Sequence, residues 1–380
     1  NDFPKLEHNC RITTQISRCN YTVVCDRTDS NLSIPECGES YIKLVFTNIN
    51  TYRFSSSDIS NINFDEFVRN IVFINNTLSL LAYNTLRYFY NTIIMDISNN
   101  KVQWIQNLAF SELYRLDSLN ISYNLLESLE NETFYNVEGP TLNVRVLDLS
   151  HNKLKELSTG LTLLPKLEEL FLQGNSLHNL KSNCFRGLNS FICSQINLRI
   201  LNASHNFISG IRYDCFKSAL NLSLSTELTL LPKLEELFLQ GNSLHNLEIN
   251  CFIGLNSLLK LDLGHNSLYT LNDSLNYVYS LSEFYINHNQ LTGILSSSIC
   301  SQINLRILNA SHNFISGIRY DCFKSALNLS VVDFRFNNVN TSIYNEMFKS
   351  GSDLCICNYA NLKHNNIRIY YNINHYFLCK

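Results

Sequence analysis

The chain has 380 residues and a formal net charge of −3 with no block of basic residues, which argues against a nucleic-acid partner. No apolar run approaches the roughly 18 residues that a membrane helix needs, so no membrane segment is expected in this chain. With neither an initiating methionine nor a signal peptide, Asn1 to Lys380 reads as a mature or excised ectodomain.

Four of the thirteen cysteines, Cys10, Cys19, Cys25 and Cys37, come first, within residues 1–40. A frame L-x-x-L-x-L-x-x-N-x-L then recurs about every 24 residues. Clear copies are Leu116, Leu119, Ile121, Asn124, Leu126; then Val144, Leu147, Leu149, Asn152, Leu154; then Leu167, Leu170, Leu172, Asn175, Leu177. The frame asparagines are Asn76 and Asn100, in looser form, then Asn124, Asn152, Asn175, Asn206, Asn242, Asn266, Asn289, Asn313 and Asn337. This period and pattern resemble those of the leucine-rich repeat proteins over roughly residues 40–350. No Pro/Gly/Ser linker interrupts the repeats, so residues 41–350 read as one solenoid of about 11–12 repeats rather than two or three domains. The expected fold is an α/β solenoid: a leucine-rich repeat horseshoe with a parallel concave β-sheet, an irregular, 3-10 or short-helix convex side, and disulfide-stapled caps.

The frame predicts surroundings residue by residue. In L-x-L the leucines point inward and the x residues outward, because strand side chains alternate. One repeat cannot bury its leucines alone, so rungs stack about 4.8 Å apart and share a core. The frame asparagine sits at a sharp inward turn, where its amide can satisfy backbone groups left unpaired, so replacing it is expected to cost stability rather than activity. Ten residues later there is usually a phenylalanine, namely Phe110, Phe134, Phe185, Phe216, Phe252 and Phe323, filling the core from the convex side.

Two cassettes occur twice. Cys193–Ser223 is identical to Cys300–Ser330, and Leu157–Ser190 matches Leu224–Ser257 at all but four positions. The intervals Asn175 to Asn206 and Asn206 to Asn242 are 31 and 36 residues, which predicts longer convex excursions near 187–197 and 219–233. Cassette shuffling and recombination or assembly error both account for the copies. Cys184, Cys215, Cys251 and Cys322 stand just before the core phenylalanine, where Ala109 and Thr133 stand in other repeats. Cys193 with Cys215, and Cys300 with Cys322, are candidate convex staples; the alternative is that these cysteines are small buried hydrophobes.

After the repeats come Cys355, Cys357 and Cys379, in residues 351–380. Val24-Cys25 followed by Leu32, Ile34 and Pro35 looks like the N-terminal cap of secreted leucine-rich repeat proteins. Leu354-Cys355-Ile356-Cys357 looks like the start of the matching C-terminal cap. The first four cysteines, with eight, five and eleven residues between them, are spaced more widely than in the usual cap, and three pairings stay open. The C-terminal cap resembles one that closes with a fourth cysteine, so it reads as truncated, and the odd cysteine admits an intermolecular disulfide, hence a homo- or hetero-oligomer. Cysteine-rich ends suit an oxidising compartment. Glycosylation sequons begin at Asn20, Asn31, Asn75, Asn120, Asn131, Asn202, Asn221, Asn272, Asn309, Asn328 and Asn340, and chance in an Asn-rich chain accounts for a share of them. Asn120, Asn202 and Asn309 would carry glycans on the concave face.

No acid, base and nucleophile pattern, phosphate loop or metal motif is present, so neither an enzyme nor a cofactor is expected. Histidine precedes the frame asparagine at His151, His205, His265, His288 and His312. A histidine column offers a metal or pH site, but Ser-His-Asn is an ordinary spelling at this rim and the structural reading is preferred. Function is then sought at the outward x positions. The middle column reads Val72, Asp96, Asn120, Asp148, Phe171, Asn202, Phe238, Asp262, Tyr285, Asn309 and Asp333, with few cations apart from Lys260 and Arg335. The expected ligand-binding set is Glu169, Phe171, Asn202, Glu236, Phe238, Asp262, Glu283, Tyr285, Asp333 and Arg335, with the three rings as anchors, against the alternative of a solvated face that binds nothing.

The segment 70–78 (NIVFINNTL), the Asn/Ile/Tyr-rich composition and the short terminal cysteine clusters resemble arthropod extracellular leucine-rich repeat proteins, including mosquito leucine-rich immune proteins and Toll-type ectodomains. The resemblance implies innate-immune recognition of a protein ligand or co-receptor outside the cell. The chain departs from the mosquito group in lacking a coiled-coil tail and from Toll in having few repeats. A cell-adhesion or developmental receptor ectodomain and a structural scaffold are the alternatives.

Overall fold

The computed structural model describes residues 9–17, 20–26, 41–49, 52–54, 67–83, 85–136, 141–180, 197–211, 216, 231–294, 297–318, 322, 325–326 and 328–338. These fall into two compact units: one runs to Leu177 and takes in 197–198, the other takes in 178–180 and the residues from Arg199 onward.

In the first unit an antiparallel pair, Asn9–Ser17 and Asn20–Asp26, opens a ladder that is parallel from Asn20–Asp26 on. It continues through Tyr41–Thr47, Val68–Ile74, Ile94–Asp96, Ser118–Asn120, Val146–Asp148 and Glu169–Phe171. The second unit holds Ile200–Asn202, Glu236–Phe238, Lys260–Asp262, Glu283–Tyr285, Ile307–Asn309 and Val331–Asp333, all parallel and in register. Only the middle residue of each three-residue strand from Ser118–Asn120 on is buried, as alternation requires. Short secondary pairs lie across the turn from these strands: Arg53–Phe54 with Leu80–Leu81 and Trp104–Ile105, Gly210–Ile211 with Asn246–Leu247, and Thr292–Ile294 with Phe314–Gly317. The return segments are turns and 3-10 turns, with one four-residue α-helix, Ser297–Cys300, among the described residues.

Frame leucines and Phe110, Phe134, Phe216 and Phe252 are fully buried, while Phe185 and Phe323 lie outside the described residues. Asn124 shows what the frame asparagine does. Its Oδ1 accepts the N–H of Val102 one rung back (3.0 Å), and its Nδ2 donates to Ile97 O of that rung (2.9 Å) and to Ile121 O of its own turn (3.1 Å). Asn152, Asn175, Asn242, Asn266, Asn289, Asn313 and Asn337 repeat the pattern. Upstream of Asn76 the ladder has one more rung, in which Ile49 takes the frame position and gives its N–H to Asn76 Oδ1 (2.8 Å).

Cys300 and Cys322 are disulfide-bonded. Cys251 is buried, as Ala109 and Thr133 are at the same place in their repeats. Cys25 is buried and disulfide-bonded, and the antiparallel register sets Cys10 opposite it. Cys19, Cys37, Cys184, Cys193, Cys215, Cys355, Cys357 and Cys379 lie outside the described residues, as do most of both expected excursions. The longer interval nonetheless leaves the register intact, because Ile200–Asn202 pairs directly with Glu236–Phe238.

Candidate recognition face

The middle x position divides into two kinds of residue. Asp96, Asn120, Asp148, Asn202, Asp262, Asn309 and Asp333 each turn Oδ1 back to accept the backbone N–H two residues on, at 2.8–3.1 Å. A short polar side chain closing such a turn is a local stabiliser of the strand exit. Asn202 and Asp333, both in the expected ligand-binding set, give Oδ1 to this turn, as Asp262 of the same set does. Asp333 also holds Arg335, whose Nη2 lies 2.6 Å from Oδ2, so the two expected ligand charges neutralise each other. Phe171, Phe238 and Tyr285 break the series with rings that cannot close this turn.

Two of the rings come together. Phe238, Asp262 and Tyr285 face one another across three neighbouring rungs, with Glu236, Lys260 and Glu283 aligned two residues earlier on the same side of the sheet. Lys260 Nζ lies 5.1 Å from the Phe238 ring centre and 5.8 Å from that of Tyr285, and 3.8 Å from Glu283 Oε2. The Tyr285 hydroxyl donates to Glu283 Oε2 (3.1 Å). Burial, reinforced by Glu283 and Asp262, pushes the Tyr285 phenol up to about 12, so it stays a donor at any physiological pH. Burial likewise holds the Asp262 carboxyl above its ordinary range, against the pull of Gly264 N–H, Lys260, His265 and His205. Phe171 and Glu169 stand in the first unit, where Phe171 pairs in register with Asp148. Lys260 was not in the expected binding set; its place in the strand register beside two glutamates was the available signal.

The rim column is structural in geometry. Asn48, Asn75, Asn99, Tyr123, His151, His205, His265, His288, His312 and Phe336 all have φ between 52° and 57°, in the left-handed region, and Gly174 and Gly241 take the same place at 68° and 66°. Their rings stack face to face: Tyr123 on His151 at 4.2 Å, His265 on His288 at 4.2 Å, His288 on His312 and His312 on Phe336 at 4.0 Å. Parallel rings do not converge their nitrogens on one point, and among the described residues no group of three or more His, Cys, Asp or Glu side chains could hold a metal.

Of the sequons, Asn75, Asn131 and Asn328 are exposed, and Asn120, Asn202 and Asn309 use Oδ1 for their turns. Asn272 spends Nδ2, the atom a glycan would take, on Leu247 O (2.8 Å) and Asn246 Oδ1 (3.2 Å). A glycan at Asn272 would have to displace both bonds. Asn31, Asn221 and Asn340 lie outside the described residues.

Residues 232–291 match the family model described as leucine rich repeat. Toll-like receptor 3 of Bos taurus is 26% identical over 301 residues, covering 74% of this chain and 31% of the receptor. Among solved structures, the LRIM1/APL1C complex superposes with a TM-score of 0.62 at 18% identity over 87% of this chain and 55% of that one. This is the leucine-rich repeat fold. A complex of TLR13 with ssRNA13 superposes with a TM-score of 0.54 at 20% identity, covering 82% of this chain and 52% of that chain. The chain spans about a third of the length of the Toll-like receptor 3 relatives it matches. No described helix of the repeat solenoid is long and apolar enough to cross a membrane.

Proposed function

We propose that the chain is a non-catalytic extracellular recognition module, part of an innate-immune protein or receptor ectodomain of arthropod type, binding a protein ligand or co-receptor through its strand face. The observation that carries this reading is the Phe238, Lys260, Tyr285 cluster. It sets two half-exposed rings close together on the strand face, and aromatic side chains are enriched at protein interfaces. The likeness to Toll-like receptor 3 and the terminal cysteine clusters support the extracellular placement. TLR13 was solved with RNA, but here Glu236, Asp262 and Glu283 surround the rings, and carboxylates repel phosphates.

The test is capture from the host's extracellular fluid by the secreted chain, beside a Phe171→Ser, Phe238→Ser, Tyr285→Ser variant shown by circular dichroism to be folded. A protein retained by the parent chain and lost from the variant supports strand-face recognition. Equal capture by both forms moves the site off this face, and capture of RNA in place of protein overturns the partner class.

A further inference from the structure

On the reading that this face recognises a protein, its chemistry specifies what the protein must bring. Phe238 and Tyr285 lie two rungs apart, about 9.6 Å at the spacing of strands. Asp262 stands on the rung between them. Its Oδ1 is held by Gly264 N–H (2.9 Å), and Oδ2 has no hydrogen-bond partner among the described residues. Two ring faces with a partly desolvated carboxylate between them make a place where a cation is stabilised twice, by the ring quadrupoles and by the carboxylate charge. Glu236 and Glu283 flank it and add to the field.

A cation already occupies that place. Lys260 Nζ reaches over both rings, yet it makes no hydrogen bond there and its distance to Glu283 is 3.8 Å, longer than a good ion-pair contact. Its side chain is 32% exposed and so open to solvent. A lysine on a four-carbon stem is a loosely held occupant. A guanidinium presents a flat face to a ring and a fork of donors to a carboxylate, and so matches the geometry better.

We propose that Phe238, Asp262 and Tyr285 form a seat for a basic side chain of the partner, foremost an arginine, and that Lys260 fills the seat in the unbound chain and leaves it on binding. The raised carboxyl of Asp262 is consistent with this, since a buried charge gains most from an incoming counter-charge. Lys260 thereby acts as an internal competitor: a partner must do better than a tethered ammonium, which discriminates against weakly complementary surfaces.

The probe is the peptide acetyl-Gly-Arg-Gly-Arg-Gly-amide against its citrulline counterpart, which keeps the shape and loses the charge, followed on the peptide by saturation-transfer NMR with the full chain. The arginine peptide is expected to bind at least tenfold better than the citrulline peptide. Lys260→Gln removes the competitor and tightens arginine binding about fivefold if the seat is filled four-fifths of the time. Asp262→Asn keeps the turn acceptor for Gly264 and loses the charge, and binding falls at least tenfold with the thermal midpoint unchanged or raised. Equal binding of the two peptides, no gain in Lys260→Gln, or full binding in Asp262→Asn each overturns the seat. If the triple ring variant loses its protein partner while the arginine peptide fails on every form, recognition through the face stands and the seat falls.

Discussion

The ring of His205 covers Gly241 so closely that a β-carbon there would lie 2.5 Å from Nδ1. Gly241 also sits at φ 66°, where any other residue is strained. Gly241→Ala should therefore lose about 1–3 kcal/mol of stability. His205→Ala removes the clash and leaves the backbone strain, so the double variant should recover part of the loss. Urea unfolding of the four forms measures the coupling, and a simple sum of the two single effects would refute the contact. Gly174 under His151, with a separation of 2.6 Å, repeats the arrangement in the other unit.

Asn289 holds two rungs together through Leu268 N–H, Leu263 O and Ile286 O. Asn289→Ala strands a buried donor and two carbonyls and should cost about 2–4 kcal/mol. The exposed neighbour Gln290→Ala should stay within about 0.5 kcal/mol. Similar thermal midpoints for the two variants would contradict the role given to the asparagine.

The repeat, the inward leucines and the asparagine position were legible because each is spelled by residue type at fixed spacing. Two features were not. The rim column reads Asn, Tyr, His, Gly and Phe, types with no shared polarity or size; what unites them is a backbone angle, and only the glycines at 174 and 241 hinted at it. Aspartate and asparagine at the middle x position looked like a displayed acidic surface, whereas their short side chains fold back onto their own backbone. Lys260 was visible as a rare cation, but its placement over two rings depends on which residues stand on adjacent rungs, and that follows from register rather than from local spelling.

His288 is held below the usual imidazole range by burial first, then by His312 and His265 on either side. The folded chain thus binds a proton at His288 less readily than the unfolded chain, whose value is near 6.5. The associated stability is present above that value and lost as pH falls below it. Thermal midpoints should decline on the acid side of pH 6.5, and His288→Phe, which keeps a ring in the stack, should flatten part of that slope. Asp262 has the opposite sign. Its carboxyl is raised above 3.8, so the cost of its charge is relieved as pH falls through the folded value, and Asp262→Asn should remove that contribution. An unchanged profile in His288→Phe would show that the stack does not govern the acid response.

The Cys300–Cys322 bridge closes a loop across 22 residues of sequence. Removing it by Cys300→Ser with Cys322→Ser should cost about 3 kcal/mol through the unfolded chain. The parent chain under reducing conditions should match the double variant, and a gap between the two midpoints would mean that the serines disturb packing on their own account.

Asn206 and Asn242 are 36 residues apart, while ordinary neighbours are 23 or 24 apart, yet the strands before them pair without a slip. About a dozen surplus residues leave no trace on the display. The ladder alone fixes where the rings stand, whatever length of chain separates one rung from the next in sequence. A tag or an epitope inserted among residues 221–228, short of the buried Leu231, should therefore leave Phe238 and Tyr285 presented at an unaltered pitch.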